Sequence, residues 1–595
     1  MDEQAQRRSL HIYELISVII HFFPFIIPLG MLSALFLLDA VLPLQGMMSN
    51  DVLLTQLSTW TLLPSHLLFP GRVIALVVPG NHVSVPYLGI QSWRRTALLM
   101  GTLLSIFLLY ALALRYLPRR ITRRYLLIST LLLGFICMLL PVATSSDLFS
   151  YIAYARMPVL YHLNPLTTLP IAIHTDPIYR YLYWDLQPSA YGPMWALLTS
   201  LFQWLLNISG LGGIVWMVLA LRLLGLAMHL GCTLLIWSIS GQLQGFIGPI
   251  SLEKRMLTTL AFAWNPLLLI EACVNAHNDV VILFFILLMF WVLVRSSPSG
   301  MRASVLAAGI FALATCLKLN VAVLAPGLFG FLYLHHPRSL KRCATAALTY
   351  VGIILLLYAP FWQDGALLNL FRVNPGTNRD INTFAEFLAQ LYNGIAQVHA
   401  GRAPTIYKYV IRVPLSSPAE LFTHTVSMAV FVILYGLYCW RVFRTSESIS
   451  SISGLISWMA IVWLLYSAIG SPWFWPWYLV TFFGLFALLE VGHTGEAWSF
   501  GLLRLPLATR LLVLSMLSLY CFYTWAPQHT SPPFLPGFLW TYFRGLYIWT
   551  VPLFAIGVPF WMKMLRSWKT ILIDKLARWS RAFQPVSSKA GRVKL

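Results

Sequence analysis

The sequence contains few charged residues. Only 10% of its 595 residues are Asp, Glu, Lys or Arg, whereas 59% are hydrophobic and the mean hydropathy is +0.75. Soluble domains carry about 25% charged residues, so this chain lacks the polar groups that would cover a surface in water. The composition excludes a soluble, a disordered and a collagen-like protein. It indicates that a bilayer surrounds most of the chain.

Paired cysteines and nucleotide-binding motifs are also missing. The seven cysteines are scattered and form no Cys-x-x-Cys motif, which argues against a zinc site, a redox pair and a disulfide scaffold. The sequence has no GxxxxGK[ST] motif and no GxGxxG motif in a βαβ context, so the common nucleotide sites are not expected.

Acidic residues are outnumbered, with 19 Asp and Glu against 40 Lys and Arg and a net charge of +21. In a membrane protein such an excess is typical of cytoplasmic loops and does not indicate nucleic acid. Apolar runs predict an all-α polytopic protein with about 14 transmembrane helices. If Arg7 and Arg8 place the N-terminus in the cytoplasm, the C-terminus is also cytoplasmic and 27 of the 40 basic residues face inward.

The predicted organisation has five parts, and three segments are predicted to lie on the outer side of the membrane. Segments 145–190 and 362–420 are too long to be simple connectors, and their aromatics, prolines and mixed charges favour folded structure. Segment 191–207 is predicted to be an interfacial or re-entrant helix, because a crossing there would place Lys254 outside. The parts are N-terminal extra helices in 1–124, a catalytic module in 125–361 with an external loop at 145–210, the external loop 362–420, C-terminal helices in 421–563 and a basic tail in 564–595.

The first polar cluster follows an apolar run directly, in the sequence Ser145-Ser146-Asp147-Leu148-Phe149-Ser150-Tyr151. A carboxylate at a membrane surface is partly desolvated, which can raise its pKa toward that of a useful general base. Ser and Asp also favour helix starts. The position of Asp147 therefore suits a catalytic base and a helix cap equally well.

A second cluster combines Tyr161-His162-Leu163-Asn164-Pro165 with Tyr191-Gly192-Pro193, and Asp176, Trp184 and Asp185 lie between them. Asn-Pro and Gly-Pro commonly mark turns. An aromatic and acidic loop suits the stacking of sugars and the binding of their hydroxyls. It suits an interfacial aromatic belt as well.

A third cluster interrupts two apolar runs with Trp264-Asn265-Pro266, Glu271 and Asn275-Ala276-His277-Asn278-Asp279. Polar groups at membrane depth are costly and indicate function by default. The i, i+4, i+7 spacing of Glu271, Asn275 and Asn278 predicts a shared helical face, whereas His277 and Asp279 suit a turn. Two possible ligands make a weak metal signal, and a hydrogen-bonded helical hairpin is the alternative.

The remaining polar groups also fall on the predicted outer side. Lys318 ends an apolar run, where it could snorkel to the interface or bind an anion such as a lipid phosphate. The segment from Ser471 to Tyr478 reads as an aromatic belt or as the wall of a site. The loop that contains Arg372, Arg379 and Asp380 could add phosphate contacts.

One-sided polar clusters favour an enzyme over a transporter or flippase of a lipid-linked saccharide, whose polar groups would lie near the midplane, often within inverted repeats. We find no clear repeat. Since a nucleotide-linked donor would be cytoplasmic, an enzyme acting outside is expected to use a lipid-linked donor.

Taken in order, the motifs between about 143 and 478 resemble the GT-C superfamily of polytopic glycosyltransferases. They are most like bacterial polyprenol-phosphate-mannose-dependent mannosyltransferases and the related glycosyltransferase family 87. The order and spacing of the motifs together carry the resemblance. The markers are Asp147-Leu148-Phe149-Ser150-Tyr151, Asn164-Pro165, Tyr191-Gly192-Pro193, Asn265-Pro266 with Glu271, His277-Asn278-Asp279, Lys318 and Pro476-Trp477-Tyr478.

The resemblance implies a GT-C fold with interfacial helices in its external loops. It also implies inverting transfer of a hexose, with mannose expected, from a polyprenyl-phosphate donor to a glycan or glycolipid on the outer face of a bacterial plasma membrane. Asp147 would be the catalytic base, and Lys318, Arg372 and Arg379 would hold the donor phosphate. Substrate-binding roles would fall on Tyr151, Asn164, Asp185, Tyr191, Glu271, His277, Asn278, Asp279, Trp477 and Tyr478.

The resemblance also bears on cofactors and on a second acid. Many relatives need no metal, so we expect no cofactor, although the sequence leaves a divalent metal open. Many GT-C enzymes carry paired acids at the catalytic loop, whereas here Ser146 precedes Asp147. A second carboxylate must therefore come from elsewhere, with Asp176 and Asp185 as the candidates.

Overall fold

The structure is a computed structural model, and the part of the chain that it describes is helical. The predicted all-α class is confirmed for these residues, among which the one isolated β-bridge joins Ile381 to Trp473. Arg372, Arg379 and the C-terminal tail lie outside them. The described residues are 20–41, 93–140, 145, 147–182, 184–243, 250–296, 300–335, 337–369, 380–400, 418–444, 449–492, 513–518, 545–546, 548–550 and 552.

The helices vary in length, and several are preceded or extended by short 3-10 or π turns. They are α1 (Phe23–Val41), α2 (Trp93–Tyr116), α3 (Arg123–Leu139), α4 (Asp147–Leu160), α5 (Pro193–Ile208), α6 (Ile214–Gln242), α7 (Leu252–Ala263), α8 (Pro266–Val274), α9 (Asp279–Arg295), α10 (Met301–Leu317), α11 (Ala325–Leu334), α12 (Leu340–Tyr358), α13 (Phe384–His399), α14 (Pro418–Arg444), α15 (Ile452–Leu465) and α16 (Leu479–Gly492).

The apolar helices support the conclusion that the chain is a membrane protein. Among the described residues, four helical segments are long and apolar enough to cross a bilayer, and a bent pair would make a fifth. Other predicted spans, such as those that became α1, α2 and α10, are apolar helices of shorter length. The helical nature of the runs is confirmed where the structure describes them, whereas the number of about 14 spans remains a prediction. The four long segments are Ile214–Gln242, Leu340–Phe361, Pro418–Arg441 and Ile452–Gly470.

Hydropathy predicts one span near 256–274. The structure breaks this run into α7 and α8, which meet at 47°. Pro266 has no N–H to continue the helix, and the side chain of Asn265 instead caps the Leu267 N–H. A π turn covers Ile270–Val274, and Ala276 then takes a left-handed conformation with φ 51°. The break therefore places a polar turn inside the helical core.

The helix predicted at 191–207 is α5. Its buried side includes Trp195 and Thr199 and packs on α4 and α6, whereas Leu201, Trp204 and Ile208 are exposed. This two-sided pattern is typical of a helix with one face toward protein and the other toward lipid. Its interfacial placement remains a prediction.

Candidate active site

A cavity of about 390 Å³ lies where several helix ends meet. The start of α4, the loop before α5, the residues after α10 and the segment 471–478 form its walls, and α14 adds one side. The cavity therefore brings together residues far apart in sequence. Those that concern its chemistry are Asp147, Trp184, Tyr191, Lys318, His424, Trp473, Trp475, Trp477 and Tyr478.

Asp147 is the first residue of α4, and its carboxylate accepts hydrogen bonds from two side chains. The Tyr191 hydroxyl donates at 2.9 Å and the Trp184 indole N–H at 3.3 Å. The Asp147 backbone N–H donates to Ser145 Oγ at 3.2 Å. Both carboxylate oxygens are thus held by aromatic side chains, which favours a role in the cavity over that of a simple helix cap.

The environment of Asp147 raises the pKa of its carboxyl group. Burial is the main cause, and the nearby Asp279 carboxylate acts in the same direction. Hydrogen bonds from Tyr191 and Trp184 and the charge of Lys318 oppose the increase and lower this pKa without cancelling it. A carboxylate with a raised pKa is a stronger base, so the arrangement suits proton abstraction.

The position of Tyr191 depends on its glycine neighbour. The Gly192 N–H donates to the Leu317 carbonyl at 2.9 Å, and a Cβ atom at Gly192 would lie only 2.1 Å from the Cys316 carbonyl oxygen. Only glycine permits this contact between the loop and the end of α10. The Tyr191-Gly192-Pro193 motif therefore docks the loop beside Lys318.

Lys318 directs a fixed positive charge toward the same cavity. Its Nζ lies 3.2 Å from Asp279 Oδ1 and 4.3 Å from the centre of the Tyr478 ring. The ring face and the carboxylate both favour an ammonium group. Asp279, which precedes Lys318 by 39 residues, is thus the second carboxylate near Asp147, and the sequence did not single it out for that role.

Behind this wall, the polar turn after α8 is buried. His277 stacks on Trp477 with ring centres 4.0 Å apart, and its Nδ1 lies 3.2 Å from the Tyr151 hydroxyl. Asn275 donates to Glu271 Oε2 at 3.1 Å. Burial and the charge of Lys318 lower the pKa of His277, so its imidazole is neutral near pH 7.

The predicted shared face of Glu271, Asn275 and Asn278 is realised only for the first pair. The π turn and the left-handed Ala276 redirect the chain before Asn278, and the Asn278 side chain has no hydrogen-bond partner among the described residues. Glu271 Oε2 also lies 3.4 Å from His277 Nε2. Among the described residues, no group of three or more His, Cys, Asp or Glu side chains is arranged to hold a metal ion.

Other predicted site residues lie away from the cavity. Asn164 forms a turn, since its side chain accepts from the Leu166 N–H and donates to the Phe361 carbonyl. Asp185 accepts from the Tyr179 hydroxyl at 3.1 Å. Asp176, a candidate second acid, is paired with Arg156 at 2.8 Å, so this carboxylate is used to fold the loop.

Sequence reasoning missed one wall of the cavity. His424 of α14 lines the cavity, and its Nδ1 lies 3.0 Å from Asp380. Ile381, next to Asp380, exchanges backbone hydrogen bonds with Pro472 and Phe474 and so attaches this loop to the tryptophan segment. A histidine within an otherwise apolar run was the available signal.

The described fold is that of a helical membrane protein, and one cavity in it is lined by a buried carboxylate, a lysine and several aromatic side chains. Residues 73–335 match the family described as "MptA_B_family: Alpha-(1->6)-mannopyranosyltransferase, N-terminal domain". This segment is therefore similar to a mannosyltransferase family, and the predicted resemblance is confirmed. The curated proteins include no match to the chain.

Proposed function

We propose that the protein transfers mannose, with inversion, from a polyprenyl-phosphate-linked donor to a hydroxyl of a glycan or glycolipid on the outer face of a bacterial plasma membrane. The observation that carries this proposal is that Asp147 and Lys318 line one cavity. A base for the acceptor and a cation for the leaving phosphate are the two charged groups such a reaction needs. The family match to residues 73–335 supports mannose as the sugar.

The two residues would act in one displacement. Asp147 takes the proton of the acceptor hydroxyl as that oxygen attacks the anomeric carbon. The bond between this carbon and the phosphate oxygen breaks, and its electron pair leaves with the polyprenyl phosphate. Lys318 stabilises the negative charge that grows on the phosphate. One backside attack inverts the anomeric configuration.

Aromatic residues would bind the sugar and shape the cavity. Trp184 and Trp473 lie with ring centres 5.4 Å apart, and Trp477 and Tyr478 continue the same wall. Large flat rings bind the apolar faces of a pyranose while leaving its hydroxyls to polar groups. Tyr151, Glu271, His277 and Asn278 would support this wall from behind.

Two further features support a lipid-linked donor. The exposed apolar face of α5 leads away from Gly192, which adjoins the cavity, so a polyprenyl chain could lie along protein and lipid together. The basic bias of the loops supports an outward-facing cavity. Arg372 and Arg379, in the loop before Asp380, remain proposed phosphate contacts.

The test is a donor panel on the purified protein in lipid nanodiscs. Polyprenyl-phosphate mannose, glucose and arabinose and GDP-mannose are each offered with an alkyl α-mannoside acceptor. We expect transfer from polyprenyl-phosphate mannose alone and an α-linked product. Transfer from GDP-mannose would contradict the proposal. Absence of transfer from every polyprenyl-phosphate donor, both to the alkyl α-mannoside and to glycolipid acceptors, would contradict it as well.

A further inference from the structure

Arg222 is a fully buried arginine in the membrane helix α6, and it joins two other helices. Its Nε donates to the Val274 carbonyl at 2.8 Å. Its Nη1 donates to the carbonyls of Met138 and Leu140 at 2.7 and 2.6 Å. A single guanidinium group therefore binds backbone oxygens at the ends of α3 and α8.

These carbonyls are the groups that a helix C-terminus leaves without partners. The C-terminal ends of α3 and α8 also carry the negative ends of their helix dipoles, which favour a cation. Burying an arginine within a membrane protein is costly. Three charge-assisted hydrogen bonds to carbonyls at helix ends offset that cost.

The face of α6 that carries Arg222 runs along α7 and α8, the two halves of the broken span, for two turns. His229, seven residues after Arg222, bonds through Nε2 to the Ala263 carbonyl at 2.9 Å, where α7 ends. Between them, Gly225 lies so close to α8 that a Cβ atom would be 1.9 Å from the Ala272 carbonyl oxygen. This face of α6 is therefore fitted to α7 and α8 across their break.

Each helix end bound by Arg222 precedes an acid of the candidate site in the sequence, since Asp147 comes seven residues after Leu140 and Asp279 comes five residues after Val274. The chain continues from α3 to Asp147 and from α8 to Asp279, and both carboxylates interact with Lys318. We propose that Arg222 is a positioning residue that fixes the two acid-bearing segments relative to each other, a role that rests on the function proposed above. It acts through the backbone and does not touch substrate.

The test compares two buried arginines with similar bonding. Arg342 donates to the carbonyls of Leu332, His335 and Pro337, at the far end of α11 from Lys318. Arg222→Met and Arg342→Met are assayed in nanodiscs for thermal unfolding and for kcat and KM with polyprenyl-phosphate mannose. The pH profile of kcat/KM is recorded for each.

We expect both variants to unfold at lower temperature, but only Arg222→Met to lose kcat, by about 10- to 100-fold, because small displacements of catalytic groups have effects of this size. The KM for the donor changes little, since Lys318 remains. The acid limb of the pH profile of kcat/KM moves, because the distances from Asp147 to Lys318 and Asp279 are no longer fixed. The hydrogen bonds from Tyr191 and Trp184 to Asp147 remain, and His277 stays neutral. Arg342→Met keeps the wild-type kcat and profile.

If Arg222→Met does not fold, Arg222→Lys decides, because lysine keeps the charge but cannot fork between two helix ends. A folded Arg222→Lys with a reduced kcat supports the proposal. Wild-type kcat and profile in any folded Arg222 variant would overturn it, as would an equal loss of kcat in Arg342→Met. The wild-type protein and Asp147→Asn are assayed in parallel. Absence of transfer by the wild-type protein would overturn the function itself, and wild-type turnover in Asp147→Asn would overturn the assignment of the base. An inactive Asp147→Asn beside a fully active Arg222 variant would overturn only the positioning role.

Discussion

The hydroxyl of Tyr191 donates to Asp147 Oδ2 at 2.9 Å, across 44 residues of sequence. Burial and the neighbouring Asp147 raise the pKa of Tyr191, so the phenol keeps its proton and remains a donor. This bond favours the ionised form of Asp147 and opposes the increase in pKa caused by burial. The strength and availability of the base are therefore set partly by one tyrosine.

Replacing Tyr191 with phenylalanine should move the acid limb of kcat/KM to higher pH. The base must be ionised, so activity falls as the pH drops through the pKa of Asp147, and this pKa is already raised. Removing a bond that stabilises the carboxylate raises it further. Tyr161→Phe is the control, because Tyr161 donates to Asp176 and not to the cavity. An unmoved limb, or one at lower pH, would contradict this prediction.

Replacing Lys318 with alanine should weaken binding of the donor more than it slows the reaction of bound donor. The ammonium group is placed to interact with the donor phosphate, and its loss also leaves Asp279 without its cation. Inhibition by polyprenyl phosphate and by uncharged polyprenol measures the effect. We expect Lys318→Ala to lose most inhibition by the phosphate and none by the alcohol. Equal losses for the two inhibitors would contradict a phosphate-binding role.

Replacing Gly192 with alanine should separate the loop from the end of α10. The added Cβ would meet the Cys316 carbonyl oxygen at 2.1 Å, an overlap with backbone that costs about 1–3 kcal/mol. Tyr191 would move with the loop, so kcat should fall as well. Gly352→Ala in α12 is the matched control, since nothing lies within 4 Å of its added Cβ. Equal thermal stability of Gly192→Ala and wild type would contradict the close contact.

The sequence predicts the coarse features of the molecule because apolar runs and polar interruptions are local. Asp147, Lys318 and Trp477 each follow or interrupt such a run, and the structure brings all three to one cavity. The fold class and the family resemblance follow from the same local patterns. The predicted roles of these residues remain proposals, which the experiments above address.

The remaining features depend on contacts between distant segments. The pairing of Asp279 with Lys318, the docking of Gly192 on α10 and the capping of two helices by Arg222 cannot be read from spacing. Local chemistry also changed one expectation, because Pro266 and the π turn broke a run that hydropathy alone described as one span. In the same way, Asn164 forms a turn and Asp176 pairs with Arg156, although both are polar residues in an aromatic loop.

The most direct test of the central claim is single-turnover transfer from bound polyprenyl-phosphate mannose by Asp147→Asn. Glu253→Gln, which changes an exposed carboxylate paired with Arg119, is the matched control. We expect Asp147→Asn to bind the donor as wild type does and to lose transfer by at least about 100-fold, the lower range of general base catalysis, while Glu253→Gln keeps wild-type rates. Transfer by Asp147→Asn at close to the wild-type rate would contradict the assignment of Asp147 as the base.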